Sequence, residues 1–170
     1  MVKYEDIKDN IYDLDEKIKY YGMNKTCAVS DDDTTIFTDC IATCTGLAVV
    51  AIDENDVIHR IISHNYAYLE DFQIEQLRLI EQYLKSLLNI KKMKVIYCSM
   101  DSYRDFDNLT DIEKDSLSKL NKTFSFYKEK HPEFNMEFHQ SWFLLINPDG
   151  NIEFANEKML EEYISNRKTK

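Results

Sequence analysis

Residues 34–64, TTIFTDCIATCTGLAVVAIDENDVIHRIISH, predict three β-strands joined by a short loop and a tight turn. Two runs within this stretch, residues 46–52 and 57–62, are rich in the β-branched side chains that favour strands. The polar sequence Asp-Glu-Asn-Asp at 53–56 is typical of the connection in a hairpin. We therefore expect an antiparallel hairpin, preceded by one further strand, around which the rest of the chain is arranged.

Folding this hairpin brings a cysteine and a histidine to the same end of the sheet. We expect Ile52 to face Val57 across the turn. Counting outward from that pair puts Cys44 opposite Asn65, and a loop longer or shorter by one residue sets Cys44 across from His64. The thiolate is the nucleophilic form of cysteine, and a neighbouring imidazole can take the thiol proton, so the two residues are a candidate catalytic dyad. A structural interpretation stays open, because a thiol at the end of an apolar strand is often a small buried hydrophobe.

The same stretch resembles the active-site hairpin of the chemoreceptor glutamine deamidases, the CheD family. Residues 41–44, Ile-Ala-Thr-Cys, are followed by an apolar strand, an acidic turn and a second strand that ends in His64. Thr38, six residues before Cys44, matches the functional threonine of that family. The cytotoxic-necrotizing-factor toxins, which are also Cys/His glutamine deamidases, share this local plan. The resemblance covers residues 34–64 of a 170-residue chain.

This resemblance implies a cysteine-dependent protein glutamine deamidase, either a bacterial chemotaxis-type modifier in the cytoplasm or a secreted effector that acts in a host cytosol. Cys44 would attack the side-chain amide of a protein glutamine, ammonia would leave, and water would hydrolyse the thioester to glutamate. His64 would act as base and then acid, and Thr38 would orient or hydrogen-bond the substrate amide. Backbone N–H groups near the cysteine would hold the oxyanion. Transglutamination uses the same thioester with an amine in place of water and is an open alternative.

Two further residues are candidates for the site. Cys40 is the alternative nucleophile, but it lies outside the hairpin and the negative charge of Asp39 beside it disfavours a thiolate. His139 precedes an apolar strand and could act as an auxiliary group or a substrate contact; a half-exposed strand histidine is the structural alternative. Cys40 and Cys44 have no second pair of ligands near them in sequence, which is a weak basis for a zinc site. We therefore predict no cofactor and no metal.

Composition and charge limit the classes of partner. The net charge of -10 and a pI near 4.9 disfavour binding to nucleic acid or to an anionic membrane. No apolar run has the length of a membrane span, and the four cysteines form no Cys-x-x-Cys pair, which favours reduced thiols in a cytosol-like compartment. We expect a soluble protein whose partner is a protein, as substrate or as binding partner. The sequence leaves the oligomeric state open.

The spacing of apolar residues outside the hairpin predicts helices and further strands. The helices span residues 4–21, 68–88, 110–130 and 157–166, and the strands span residues 94–100, 134–138, 142–146 and 152–154. Residues 22–33 read as a loop, and residues 166–170 as a basic tail. The predicted fold class is α/β (α+β), a mixed, largely antiparallel sheet flanked by three to four amphipathic helices. With 44% hydrophobic residues, the chain is long enough for a single globular domain over residues 1–170.

Two functions without catalysis also fit the sequence. An acidic binding protein, of an inhibitor or immunity type, would recognise a basic protein surface through charge complementarity. Such a protein would have no use for an activated thiol at Cys44. A regulatory or oligomerising domain would use the N-terminal amphipathic helix in residues 1–22, and deletion of that segment would abolish its self-association.

Overall fold

A computed structural model of the chain describes residues 1–7, 16–30, 32–39, 41, 44–66, 70–87, 89–100, 111–130 and 133–168. Over these ranges the order of elements is α1 (Tyr4–Ile7), β1 (Ile18–Tyr20), β2 (Lys25–Ser30), β3 (Thr35–Thr38), β4 (Cys44–Asp53), β5 (Ile58–Tyr66), α2 (Glu70–Ser86), β6 (Ile90–Ser99), α3 (Asp111–Lys130), β7 (Glu133–His139), β8 (Leu144–Ile146), β9 (Ile152–Phe154) and α4 (Glu157–Lys168). The predicted α+β fold class is confirmed, and the strands are divided between two mixed sheets.

The larger sheet has five strands in the order β2-β5-β4-β6-β7. β4 pairs antiparallel with β5 and β6, whereas β6 and β7 run parallel and are connected through α3. β4 is a nearly continuous apolar run because both of its faces are buried. Leu47, Val49 and Ala51 pack against α2 and α3 on one face. Ala48 and Val50 face the second sheet on the other.

The smaller sheet has four strands in the order β1-β3-β8-β9 and packs face to face with the larger one. Ile36 of β3 and Ile146 of β8 belong to the core between the two sheets. Phe37 and Leu145, which point the other way along the same strands, pack with Tyr4 of α1 in a separate core. The space between the sheets is therefore bounded by β4 and β5 on one side and by β3 and β8 on the other.

The turn of the β4–β5 hairpin contains five residues, one more than the sequence predicted, because Ile52 pairs with Ile58 rather than with Val57. The side chain of Asp53 accepts the backbone N–H of Val57 at 3.0 Å and so keeps Val57 within the turn. Asp56 takes up the left-handed conformation, with a φ of 64°, which aspartate adopts more readily than most residues.

The longer turn changes which residues of the hairpin share a face. The predicted pairing of Cys44 with Asn65 is wrong, and so is the expectation that a turn longer by one residue sets Cys44 across from His64. Cys44 lies opposite Tyr66, and Gly46 lies opposite His64. A shift of one residue transfers every side chain of a strand to the other face of the sheet. Cys44 and His64 therefore lie on the same face, which is the face turned toward the smaller sheet.

The N-terminal region differs most from the sequence prediction. The helix predicted for residues 4–21 is wrong at its end, because Ile18–Tyr20 form β1, which pairs parallel with β3. The described helix is α1, and residues 8–15 lie outside the described residues. The predicted loop at 22–33 contains β2, an edge strand with its outward side chains exposed. The other predicted helices and strands are present, and α4 continues through Lys168 into the predicted basic tail.

Within the described ranges, no helix is both long enough and apolar enough to cross a membrane.

Candidate functional site

The open end of the β4–β5 hairpin holds a buried hydrogen bond between the two sheets. Thr38, the last residue of β3, places its Oγ1 2.7 Å from Nδ1 of His64 on β5. Thr38 is fully buried, and His64 is only 3% exposed. The structure thus joins the predicted histidine to the predicted threonine, although 26 positions separate them in the sequence.

The second ring nitrogen of His64 is unused. Nε2 is buried and has no hydrogen-bond partner among the described residues, the thiol of Cys44 included. Burial lowers the pKa of His64 to about 4, because a desolvated imidazolium is less stable than the neutral ring. His64 is therefore neutral near pH 7, which is the form of imidazole that can accept a proton.

Cys44 begins β4 and faces the same space as His64. The two residues are diagonal neighbours across the hairpin, a relation that separates backbones by roughly 7–8 Å. Cys44 is 5% exposed, and its Sγ lies 3.8 Å from Sδ of Met23. The thiol and the imidazole therefore lie on one sheet face, with a methionine side chain beside the thiol.

A glycine permits the close approach of the two sheets at this point. Gly46 lies directly opposite His64 on β4. A Cβ at this position would lie 2.5 Å from Cδ1 of Ile41 and 2.9 Å from Cδ1 of Leu144, closer than side chains can pack. Glycine two residues after Cys44 thus lets the ends of the Ile41 and Leu144 side chains pack directly against β4, and a larger residue would make both shift.

A fully buried arginine fixes the segment that leads into β3. Arg60 shares its sheet face with His64, and its NH1 group donates to the carbonyl of Thr34, while NH2 donates to the carbonyl of Asp32 at 2.7 Å. Burial lowers the pKa of Arg60. By holding residues 32–34, Arg60 supports the strand that carries Thr38. In the sequence, a single charged residue within the apolar run of β5 is the feature that indicates a buried role for Arg60.

The segment between β1 and β2 crosses from one sheet to the other beside Cys44. The backbone N–H of Tyr21 donates to the carbonyl of Phe37 on β3 at 2.9 Å. The backbone N–H of Asn24 donates to the carbonyl of His64 on β5 at 2.6 Å. Met23 lies between these two anchors, and the sequence does not predict its place beside Cys44 because residues 22–33 have the pattern of a loop.

Of the remaining candidates, the structure places His139 alone. Cys40, the alternative nucleophile, lies outside the described residues. His139 lies in β7 opposite Cys98, three strand spacings or roughly 14 Å across the sheet from His64. Its Nε2 lies 2.9 Å from a carboxylate oxygen of Glu137, and its ring stacks on Phe154 with centroids 3.9 Å apart. The structure therefore does not bring His139 to the Thr38–His64 pair.

In the part of the chain that the structure describes, no group of three or more His, Cys, Asp or Glu side chains could hold a metal ion. Cys27, Cys44 and Cys98 carry thiols and form no disulfide. Burial raises the pKa of Cys98 well above its usual value, so this thiol stays protonated in the core.

No protein-family model matches the sequence, and no curated protein matches it significantly. Its function must therefore be inferred from the residues of the site and their geometry.

Proposed function

We propose that this chain is a cysteine-dependent protein glutamine deamidase, with Cys44 as the nucleophile and His64 as the general base and acid. Thr38 orients the imidazole. The observation that carries this proposal is the buried hydrogen bond between Oγ1 of Thr38 and Nδ1 of His64. Resemblance to the glutamine deamidases singles out the same threonine and histidine independently of any structure.

The hydrogen bond has a direct chemical meaning. A partner on one ring nitrogen fixes the orientation of an imidazole and determines what the other nitrogen can do. With Nδ1 bonded to Thr38, Nε2 of His64 is the atom left to exchange protons, and it has no partner among the described residues. A catalytic histidine requires one oriented and one available nitrogen, and His64 has both.

The reaction follows in two halves. Sγ of Cys44 attacks the Cδ carbon of a glutamine side chain as the thiol proton passes to Nε2 of His64. The C–N bond then breaks, His64 returns the proton to the leaving nitrogen, and ammonia departs from a thioester. Water, deprotonated by His64, attacks the thioester, and the C–S bond breaks to give glutamate. The proton on His64 finally returns to the thiolate of Cys44, which regenerates the site.

The alternative of an acidic binding protein has less support from the surface. A cleft of about 330 Å³ at the turn end of the hairpin is lined by the carboxylates of Asp32, Asp33 and Asp56. Each of these carboxylates is paired with a lysine: Lys19 with Asp32, Lys17 with Asp33 and Lys91 with Asp56. Because these lysines offset the acids, the cleft does not present a concentrated negative charge to a basic partner.

The test uses the two substrate classes that the resemblance implies. The full chain is incubated with chemoreceptor signalling domains and, separately, with a eukaryotic cytosolic extract, and converted glutamines are mapped by mass spectrometry. Cys44→Ala is the inactive variant, and Cys27→Ala is the matched control, because Cys27 is a half-buried thiol on the same sheet face. We expect conversion of glutamine to glutamate with wild type and Cys27→Ala and none with Cys44→Ala.

Two other results would revise the proposal. Conversion that persists in Cys44→Ala would remove this residue as the nucleophile. A labelled primary amine, added in parallel, would be incorporated into the same glutamines if the thioester is resolved by amines, and the activity would then be transglutamination. An absence of conversion in both substrate classes, together with an unreactive Cys44, would favour a binding protein.

A further inference from the structure

Met23 has an unusual position for an exposed apolar side chain. It is 52% exposed, yet its Sδ lies 3.8 Å from Sγ of a cysteine that is 5% exposed. The Met23 side chain therefore contacts the Cys44 thiol at one end and is open to solvent over about half of its surface. A substrate that reaches the thiol from this direction must take the place of the Met23 side chain.

The backbone on both sides of this methionine is fixed. Tyr21 is bonded to β3 and Asn24 to β5, so the segment is tied to both sheets. Asn24 takes up the left-handed conformation, with a φ of 61°, which asparagine tolerates. The side chain of Met23, in contrast, is unbranched and has three rotatable bonds. The Met23 side chain can thus leave the Cys44 thiol by rotating its own bonds, without movement of the backbone that holds it.

Methionine also has nearly the shape of glutamine. Both side chains are unbranched through Cγ, and Sδ of methionine corresponds in position to Cδ of glutamine, the carbon that the thiol attacks. The separation of 3.8 Å between the two sulfurs is close to the distance of about 3–3.5 Å from which a nucleophile attacks. A glutamine side chain placed as Met23 is placed would present its Cδ to Cys44.

We propose that the Met23 side chain occupies the substrate position of the Cys44 site, as an unreactive counterpart of glutamine that a protein substrate displaces. This inference rests on the proposed deamidase function for the identity of the substrate. It adds a residue that covers the thiol until a substrate displaces it and that determines, by its fit, which side chains reach the thiol.

The first test measures access to the thiol and requires no substrate. Iodoacetamide labelling of Cys44 and Cys27 is followed by mass spectrometry in wild type, Met23→Ala, Met23→Leu and Leu79→Ala. Leu79 is an exposed apolar residue of α2 and serves as the matched control for loss of surface apolar area. We expect a severalfold rise in the Cys44 labelling rate in Met23→Ala alone. An unchanged rate, or an equal rise at Cys27 that signals general loosening, would overturn the proposal.

The second test makes the chain its own substrate. In Met23→Gln, we expect conversion of the new glutamine to glutamate with release of ammonia, and no conversion in Met23→Gln combined with Cys44→Ala. If external glutamines are converted while position 23 is not, the deamidase function stands and the substrate position of Met23 is wrong. If Met23→Ala speeds labelling but no glutamine is converted anywhere, the deamidase function fails and the covering of the thiol by Met23 is supported.

Discussion

His59 and His64 lie on the same strand and are both buried, but their surroundings differ in one decisive respect. His59 faces the helices and has a partner on each ring nitrogen: Nε2 lies 3.1 Å from Oδ2 of Asp53, and Nδ1 lies 3.3 Å from the hydroxyl of Tyr83. His64 faces the smaller sheet and has a partner, Thr38, on Nδ1 only. The hairpin thus carries a fully bonded histidine near its turn and a half-bonded one at its open end.

The difference separates a structural histidine from a candidate catalytic one. A buried polar atom without a partner costs about 1–3 kcal/mol, and a fold that needed only packing at position 64 would avoid that cost. The hydrogen bond from His59 lowers the pKa of Asp53, as expected of a pair that stabilises the hairpin turn. The unused Nε2 of His64 stabilises nothing in the described structure, which is the condition expected of a group that acts on a substrate.

The largest expected effect is on activity. His64→Gln should lower the deamidation rate by about 10²–10⁴-fold, because it removes the general base and acid. His59→Gln should leave the rate within a few-fold of wild type, because His59 lies on the opposite face of the sheet from Cys44. Rates of ammonia release on one substrate would be compared for the two variants. Equal losses would erase the functional distinction between the two histidines.

The second effect is a dependence of stability on pH that belongs to His64. Its pKa is about 4 in the folded chain and 6.5 as the unperturbed value. As the pH falls between these values, the unfolded chain binds a proton at His64 that the native chain does not. The free energy of unfolding should therefore fall by about 3 kcal/mol from this residue alone.

Urea unfolding at a series of pH values checks this prediction by difference. The pH dependence of wild type minus that of His64→Gln should show a loss of stability on going from pH 6.5 to pH 4. The pH dependence of wild type minus that of His59→Gln serves as the comparison, because His59 is hydrogen-bonded to the carboxylate of Asp53. A wild-type curve that parallels His64→Gln over this range would show that the imidazole is not desolvated.

The third effect is on stability and concerns His59, the histidine with a structural role. His59→Gln should lower the free energy of unfolding by about 1–3 kcal/mol, because it weakens the buried bond to Asp53. Chemical unfolding near pH 7 would measure it, with His64→Gln measured in parallel. His64→Gln should be the milder change near this pH, since His64 has one hydrogen bond to lose, to Thr38, whereas His59 has two. The reverse order would contradict the assignment of the structural role to His59.

The smallest effect is expected at Thr38. Thr38→Val keeps the shape of the side chain and removes its hydrogen bond to Nδ1 of His64, which corresponds to a loss of about tenfold in rate at most. Thr38→Ser restores the hydroxyl and should recover most of the activity. The acid limb of the pH–rate profile should shift in Thr38→Val and return in Thr38→Ser, a change that simple loss of packing would not produce.

Much of the fold was readable from local patterns. The β-branched runs of β4 and β5, the polar turn and the amphipathic stripes of α2, α3 and α4 predict their elements correctly, because each depends on neighbours a few positions away. The sequence did not predict β2 because polar residues at Lys25, Thr26 and Ser30 leave only three apolar residues within it. The spacing of apolar residues up to Tyr21 is also typical of a helix, so the sequence did not predict β1. The pairing of β1 with β3, which is distant in sequence, makes residues 18–20 a strand.

The site was less readable, because its contacts are distant in sequence. The polar residues at 53–56 predict a turn but not its length, and one extra residue determines whether Cys44 and His64 share a face. The bond from His64 to Thr38 joins two sheets, and no local pattern encodes it. The contact of Met23 with Cys44 is also distant in sequence. It depends on the crossing of residues 21–24 from the smaller sheet to the larger one, and the sequence predicts only one sheet.

The most direct test of the central claim is the rate at which iodoacetamide labels Cys44 near pH 7 in wild type, His64→Gln and His59→Gln, with Cys27 as the internal reference. If His64 accepts the thiol proton as Cys44 attacks, His64→Gln should slow the labelling of Cys44 by about tenfold or more while Cys27 is unchanged, and His59→Gln should slow neither. A Cys44 rate that is the same in wild type and His64→Gln would show that the imidazole does not act on the thiol, and would contradict the proposed catalytic pair.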